Sequence, residues 1–242
     1  MHLYGKNPVI ERLRAKPETI RKIYLQEGHQ DAALIFKKAH KKSVPVLTVP
    51  KSKIQKMARN LNTQGVLAQV TDYEYVSYED LLDKAVKKKL TLVFIDELND
   101  PQNLGGIIRS AACLGNFGIV LPTHESVSVT ETVLRVAAGG ENYVEVAQVA
   151  NLKKAIAQAQ REHITVVGSV VDGGENIYEI DLPLPIALVF GSEQKGIRPI
   201  IQKELDLRIT VPMNQNTLSL NVAHAAMVFF YEVTKQKIRK KA

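Results

Sequence analysis

From Leu90 onward, short wholly apolar runs alternate with helix-length amphipathic segments, and this alternation constrains the fold more than any other feature of the chain. Leu92-Val93-Phe94-Ile95 has no polar face. A strand there must be covered on both sides, as in a parallel sheet flanked by helices. The same pattern predicts a helix over Leu104–Leu114, a strand over Phe117–Leu121, a helix near Ser128–Ala138 and a strand over Tyr143–Val146. It continues with a helix over Leu152–Glu162 and a strand over Ile164–Gly168. Strands Ile186–Phe190 and Leu207–Val211 follow, separated by a short helix, and a long helix from Asn221 to about Lys237 closes the chain. Strands and helices in strict alternation specify an α/β fold with a parallel sheet.

The first seventy residues alternate on a smaller scale. Asn7-Pro8 is a helix start, because Asn can cap and Pro suits a first turn. Ile23–Leu25, Val44–Val49 and Gly65–Val70 read as strands, with helices over Ala32–Lys42 and Lys51–Leu61 between them. These make a small α/β unit over residues 1–72. Residues 73–89 read as a linker with some helix of its own, and 90–242 as the larger domain.

Charge separates the two units. Residues 1–70 hold 14 Lys and Arg against 4 Asp and Glu, a net of +10, whereas 91–242 hold 14 against 16. A local excess of this kind suits a polyanion, or else a solvated basic face. Few aromatic residues lie in the basic third, so phosphate and shape contacts are expected there ahead of base stacking. No apolar run approaches the roughly 20 residues of a membrane span. The N-terminus lacks an apolar signal core. Cys113 is the only cysteine, which excludes a disulfide framework and a cysteine-based zinc site; its neighbours suggest a buried small hydrophobe. No metal site is expected, and a reducing, cytoplasmic location fits these features.

Ligands of open α/β sheets bind at the carboxyl ends of strands, and three loops there are too polar for mere connection. Asp96–Arg109 leaves a buried strand and enters a helix; Asn103 is placed to cap it, and Gly105-Gly106 permits close approach of another group. Gly191-Ser192-Glu193-Gln194-Lys195-Gly196 has a glycine at each end and a carboxylate, Glu193, that can accept from a hydroxyl or hold an arginine. Val211–Asn221 is a polar run in which Ser219 or Asn221 can cap the last helix. Neither a dinucleotide-binding Gly-x-Gly-x-x-Gly nor a P-loop lysine is present. Taken singly, each loop is also explained as a cap or a surface turn.

Together, Asn103-Leu104-Gly105-Gly106-Ile107-Ile108-Arg109, Phe190–Gly196, Val211-Pro212-Met213 and Ser219-Leu220-Asn221-Val222 resemble the SpoU/TrmH family of RNA ribose 2′-O-methyltransferases, in the SPOUT superfamily. Tyr4–Val9 and Gln64-Gly65-Val66 resemble the substrate-binding domain of its rRNA-methylating branch, which is similar to the ribosomal-protein L30 fold. The resemblance implies a SPOUT catalytic domain with a trefoil knot, a homodimer, and S-adenosylmethionine held around Gly191, Val211, Met213 and Leu220. It implies an RNA substrate, with Asn103, Arg109, Glu193, Ser219 and Asn221 as the catalytic positions. It further implies a guanosine of large-subunit (23S-type) rRNA as target. A tRNA guanosine is the alternative, and a non-catalytic RNA-binding protein of the same fold the second alternative. Gln215 stands where many relatives have Gly, Ala223 where they have Ser, and Thr63 where His is common. Arg109 is the family's candidate base, yet a guanidinium keeps its proton near neutral pH. Two roles stay open for it: transient proton acceptor, or phosphate anchor and stabiliser of developing alkoxide charge. Whether it acts within one subunit or across the dimer also stays open.

Overall fold

A computed structural model describes all residues except 60, 193, 215–218 and 241–242. Two sheets organise the chain. The first is built by β1 (His2–Tyr4), α1 (Lys6–Ala15), β2 (Ile20–Gln26), α2 (Ala32–His40), β3 (Val46–Val49), α3 (Lys51–Met57) and β4 (Val66–Val70). Its strand order is β1-β4-β2-β3, with only β2 and β3 parallel. β1 is a strand that the sequence pattern did not predict. Three residues carry too little periodicity to read, and the register His2↔Gln69 to Tyr4↔Leu67 is set by β4. Asn7 does not cap α1; the helix begins at Lys6, preceded by Gly5 with no side-chain cap.

α4 (Tyr78–Lys88) is capped by Ser77, whose hydroxyl accepts from the Asp80 amide. It lies within the segment expected as a linker, but its buried residues Tyr78, Leu81 and Leu82 pack with Leu92, Phe94 and Val120 of the larger sheet.

That sheet comprises β5 (Thr91–Ile95), β6 (Phe117–Pro122), β7 (Glu145–Val149), β8 (Thr165–Ser169), β9 (Glu175–Asn176), β10 (Ile186–Phe190) and β11 (Leu207–Thr210). α5 (Pro101–Leu114), α6 (Glu131–Ala137), α7 (Leu152–Arg161), α8 (Pro199–Gln202) and α9 (Val222–Arg239) connect the strands or follow them. The order is β7-β6-β5-β10-β8-β11-β9, and every pairing is parallel. All of β5 and β10 is buried, and alternate residues serve opposite faces. Leu92 and Phe94 meet α4 and α7, while Val93 and Ile95 meet α5 and α9. Phe190 stands edge-on to Phe229 of α9, with ring centroids 5.5 Å apart. Several expected boundaries shift: the strand predicted over Tyr143–Val146 runs Glu145–Val149, the helix predicted near Ser128–Ala138 is Glu131–Ala137, capped by Thr130, the helix predicted from Leu104 starts at Pro101, the strand predicted over Ile23–Leu25 runs Ile20–Gln26, and the helix predicted over Lys51–Leu61 ends at Met57. Cys113 is exposed on α5, not buried as its small neighbours suggested.

Strand order positions the site. From β5 the chain builds outward through β6 and β7, then crosses to place β8 on the far side, and β10 inserts between β5 and β8. The carboxyl ends of β5 and β10 are thus neighbours where strand order reverses, the place in such sheets where a crevice opens. The Asp96 amide donates to the Phe190 carbonyl at 2.7 Å, closing the two strand ends together.

Candidate active site

The loop after β5 turns into α5 through Asp100, not Asn103. Asp100 is the cap, accepting from the Gln102 amide at 2.8 Å, and Pro101 occupies the first helical position. Asn103 lies inside the first turn, buried, and its Oδ1 accepts from Nδ2 of Asn221 at 2.8 Å. The other end of the Asn221 amide caps α9: Oδ1 accepts from the Ala223 amide at 2.9 Å. Of the two candidates for that cap, Asn221 takes the role. One side chain therefore fixes a helix start and ties it to another 118 residues away.

The loop after β10 is a tight reciprocal turn. The Ser192 amide donates to the Gly196 carbonyl at 3.1 Å, and the Gly196 amide returns to Ser192 at 2.9 Å. A Cβ at Gly191 would overlap the carbonyl of Gly196, so only glycine lets these two backbones approach. The loop ends at Arg198, which the sequence reading missed. Its backbone amide and Nε each donate to the wholly buried Asp96 carboxylate at 2.8 Å, and the guanidinium also faces Glu97 at 3.1 Å. Hydrogen bonding and charge from Asp96 hold the Arg198 guanidinium above its ordinary pKa. The pair pins the β10 loop to the end of β5. An acid directly after an apolar strand was its only local signal.

Two cavities open over these loops. One, of about 490 Å³, is lined by Gly191, Val211, Met213 and Leu220, the residues expected around the cofactor, and also by Ser219, which was expected among the catalytic positions and does not line the second cavity. Asp172 and Arg208, which the sequence reading passed over, also line it. The second, of about 640 Å³, contains Asn103, Asn221, Asn99 and Glu97. Ser192, Gln194 and Lys195 line both, so the β10 loop is the wall between them. The first cavity suits an organic molecule contacted by backbone at its glycines; the second offers amides and a cation to a polar ligand. Glu193 and Gln215 lie outside the described residues.

Arg109 is not gathered into either cavity. It is exposed on α5, and among the described residues its guanidinium has no hydrogen-bond or ion-pair partner. Six residues of helix rotate it roughly 120° around the axis from Asn103. No group of metal-ligating side chains occurs among the described residues, and no described helix is long and apolar enough to cross a membrane.

Replacing Asn221 by alanine removes the α9 cap and the tie to Asn103. A lost cap costs about 1 kcal/mol. Calorimetry should show a melting temperature lower by roughly 2–4 °C, whereas Ser219→Ala, which removes no cap, should leave it unchanged.

The family model described as the SpoU rRNA Methylase family matches residues 89–231, and one described as RNA 2′-O ribose methyltransferase substrate binding matches residues 2–76. A Bacillus subtilis protein, YacO, placed by name in the TrmH family of tRNA/rRNA methyltransferases, is 35% identical over 98% of this chain and 96% of its own. A Sinorhizobium meliloti rRNA methyltransferase solved with AdoMet bound is 25% identical and superposes with a TM-score of 0.77 over 97% of this chain and 86% of its own. A TrmH-family RNA methyltransferase structure from Porphyromonas gingivalis is 26% identical, with a TM-score of 0.74 over 96% of this chain and 88% of its own.

Proposed function

The chain belongs to the SpoU rRNA methylase family, and from that premise we propose that it transfers the methyl group of S-adenosylmethionine to a ribose 2′-hydroxyl of RNA, at a guanosine of large-subunit rRNA. The observation that carries this reading is the pair of cavities sharing one glycine-bounded wall: one fits a cofactor, the other its polar acceptor. The fit of the first rests on Gly191, whose missing side chain leaves the backbone bare at the cavity, and on the half-buried Val211 and Met213 beside it. When bound there, the cofactor supplies an electrophilic sulfonium methyl. Support for RNA over another acceptor comes from the substrate-binding match over residues 2–76 and the names of the relatives. Support for rRNA over tRNA comes from the S. meliloti enzyme, an rRNA methyltransferase that superposes across both sheets.

The chain's own residues have separable tasks. Asn103 and Asn221, held by each other, present amide groups in the acceptor cavity and fix the ribose. Lys195, on the shared wall, offers a cation to a flanking phosphate. Ser219 and Leu220 complete the cofactor wall, and Glu193, two residues before Lys195 in the sequence, is assigned the role of orienting the nucleotide. Arg109 stabilises the alkoxide and anchors phosphate without surrendering its proton. Since Arg109 lines neither cavity of its own chain, we assign it to the site of a second copy. An exposed apolar stripe on α9, Met227, Tyr231 (58% exposed) and Ile238 (65% exposed), supports a homodimer. The trefoil knot belongs to the same proposal and is supported by family membership.

Incubation with tritiated S-adenosylmethionine should label isolated large-subunit rRNA, with a primer-extension stop at one guanosine when nucleotide is scarce. Label in tRNA alone would move the substrate, and cofactor binding without label in either RNA would favour the non-catalytic alternative.

A further inference from the structure

The N-terminal sheet carries a third cavity, of about 650 Å³, bounded by the loop after β2, the start of α3 and the loop before β4. Its size falls within the roughly 300–1,000 Å³ of small-ligand pockets. The walls are built residue by residue. His29 joins the two loops: Nδ1 accepts from the Asp31 amide at 3.1 Å, so Nε2 carries the proton and donates to the Gln64 carbonyl at 2.9 Å. Asp31 is in turn held by Lys6 at 2.7 Å. Asn62 Oδ1 accepts from the Gln64 amide and Thr63 Oγ1 from the Gly65 amide. These bonds impose a left-handed backbone on Gln64 (φ 53°), a conformation that non-glycine residues hold only where their surroundings dictate it. At Gly65 (φ 75°), a Cβ would lie 2.8 Å from the His29 ring, so the loop cannot tolerate a side chain there.

The lining has a definite chemistry. Gln26 and Gln55 face the cavity, and neither amide has a hydrogen-bond partner among the described residues. Each offers a donor beside an acceptor, the pattern that pairs with the edge of a nucleobase. Lys51 stands at the same cavity, no carboxylate is among its described lining residues, and the 41%-exposed Leu61 adds an apolar surface. Among the described lining residues the only ring is His29, which is already engaged on both nitrogens. Edge reading, rather than stacking between aromatic rings, is what such a pocket can do.

We propose that this cavity takes one unstacked nucleotide of the RNA, with the base edge read by Gln26 and Gln55 and the adjoining phosphate met by Lys51. The inference rests on the RNA-methyltransferase reading and deepens it. One base is captured in the N-terminal domain while another is presented to the acceptor cavity, so the register of the RNA is set at two points.

The test uses the full-length chain with Gln26→Met and Gln55→Met, which keep side-chain length and remove the amides. Each loss should weaken rRNA binding roughly tenfold, within the range of a lost base-edge pair, and raise the KM for RNA with kcat unchanged. The salt dependence of affinity should keep its wild-type slope, whereas Lys51→Ala should flatten it by about 0.7–0.9 log units per decade of salt, the share of one phosphate. Rescue by Gln26→Asn or Gln55→Asn would exceed anything a packing role predicts. Affinity within twofold of wild type in the double Met variant would overturn the proposal. The binding curve is read without turnover, so an intact protein that binds RNA but transfers no methyl group would sink the catalytic reading and leave the pocket judged on its own. If the intact protein bound neither rRNA nor tRNA, the pocket would fall too.

Discussion

Arg109→Ala is expected to lower methyl transfer by about 10²–10³, the usual cost of removing a donor that stabilises developing charge, while S-adenosylmethionine binds as tightly as to the unaltered protein. The second half follows from placement: Arg109 lines neither cavity, and no described residue depends on its guanidinium. Its exposure also argues against a folding defect, since surface substitutions typically shift stability by less than about 0.5 kcal/mol. The proposed homodimer makes the prediction sharper. If Arg109 serves the partner's site, Arg109→Ala subunits mixed with subunits whose cofactor cavity is filled by Met213→Trp form hybrids with one complete site. Random exchange in a two-fold dimer then restores about one site in four. Tritium incorporation measures this directly. Restoration to that level supports action across the interface. Two inactive parents giving an inactive mixture would place Arg109 in its own subunit's site, and full activity of Arg109→Ala alone would remove it from the chemistry.

What the sequence made legible follows the range of the interactions involved. The large sheet was readable because β5 and β10 are buried on both faces, and burial on both faces erases polar residues from the strand. Gly191, Val211, Met213 and Leu220, which the resemblance implied as a cofactor group, line one cavity of the structure. β1 was not legible, because three residues acquire their strand conformation only by pairing with β4. Asn103 was read as a cap because a loop-to-helix boundary drawn three residues late leaves it in the capping place. Asp100 holds that place instead, and Asn103 is a buried partner of Asn221. Asp96 with Arg198 and Arg12 with Glu141 are pairs separated by 102 and 129 residues. No local pattern announces such pairs, since each half alone looks like an ordinary surface charge. Cys113 shows the converse error, since apolar neighbours on a helix do not say which side of the helix faces solvent.

The largest structural effect is expected at Arg12 and Glu141, where the two sheets' units meet. Arg12 of α1 is buried and donates through Nη2 to Glu141 Oε1 at 3.1 Å; Glu141 lies in a short turn, Gly140–Asn142, next to α5. Arg12 Nε and Glu141 Oε2 are buried without hydrogen-bond partners among the described residues, so within these the pair is not fully satisfied. Burial pushes the Glu141 carboxyl above its ordinary pKa even though Arg12 faces it. Breaking such a pair from one side strands a buried charge. Arg12→Met or Glu141→Ala alone should therefore cost about 3–5 kcal/mol, read by denaturant unfolding, whereas Arg12→Met with Glu141→Leu should be neutral or stabilising by about 1–4 kcal/mol. The sign of the pH dependence follows from the raised carboxyl. The folded protein holds that proton more tightly than the unfolded chain does, so this group makes stability fall as pH rises from the ordinary carboxylate value to the raised one. Glu141→Gln should flatten that slope. The consequence reaches the proposed site, because a Cβ at Gly140 would sit 3.2 Å from the Arg109 Cα, so the turn that Arg12 grips packs against the backbone that carries Arg109. The stabilised double variant should accordingly keep cofactor affinity and lose coupling between RNA binding and turnover, seen as a raised KM for RNA. Single variants within 1 kcal/mol of wild type, or a double variant as unstable as either single one, would show that the pair does not hold the two units together.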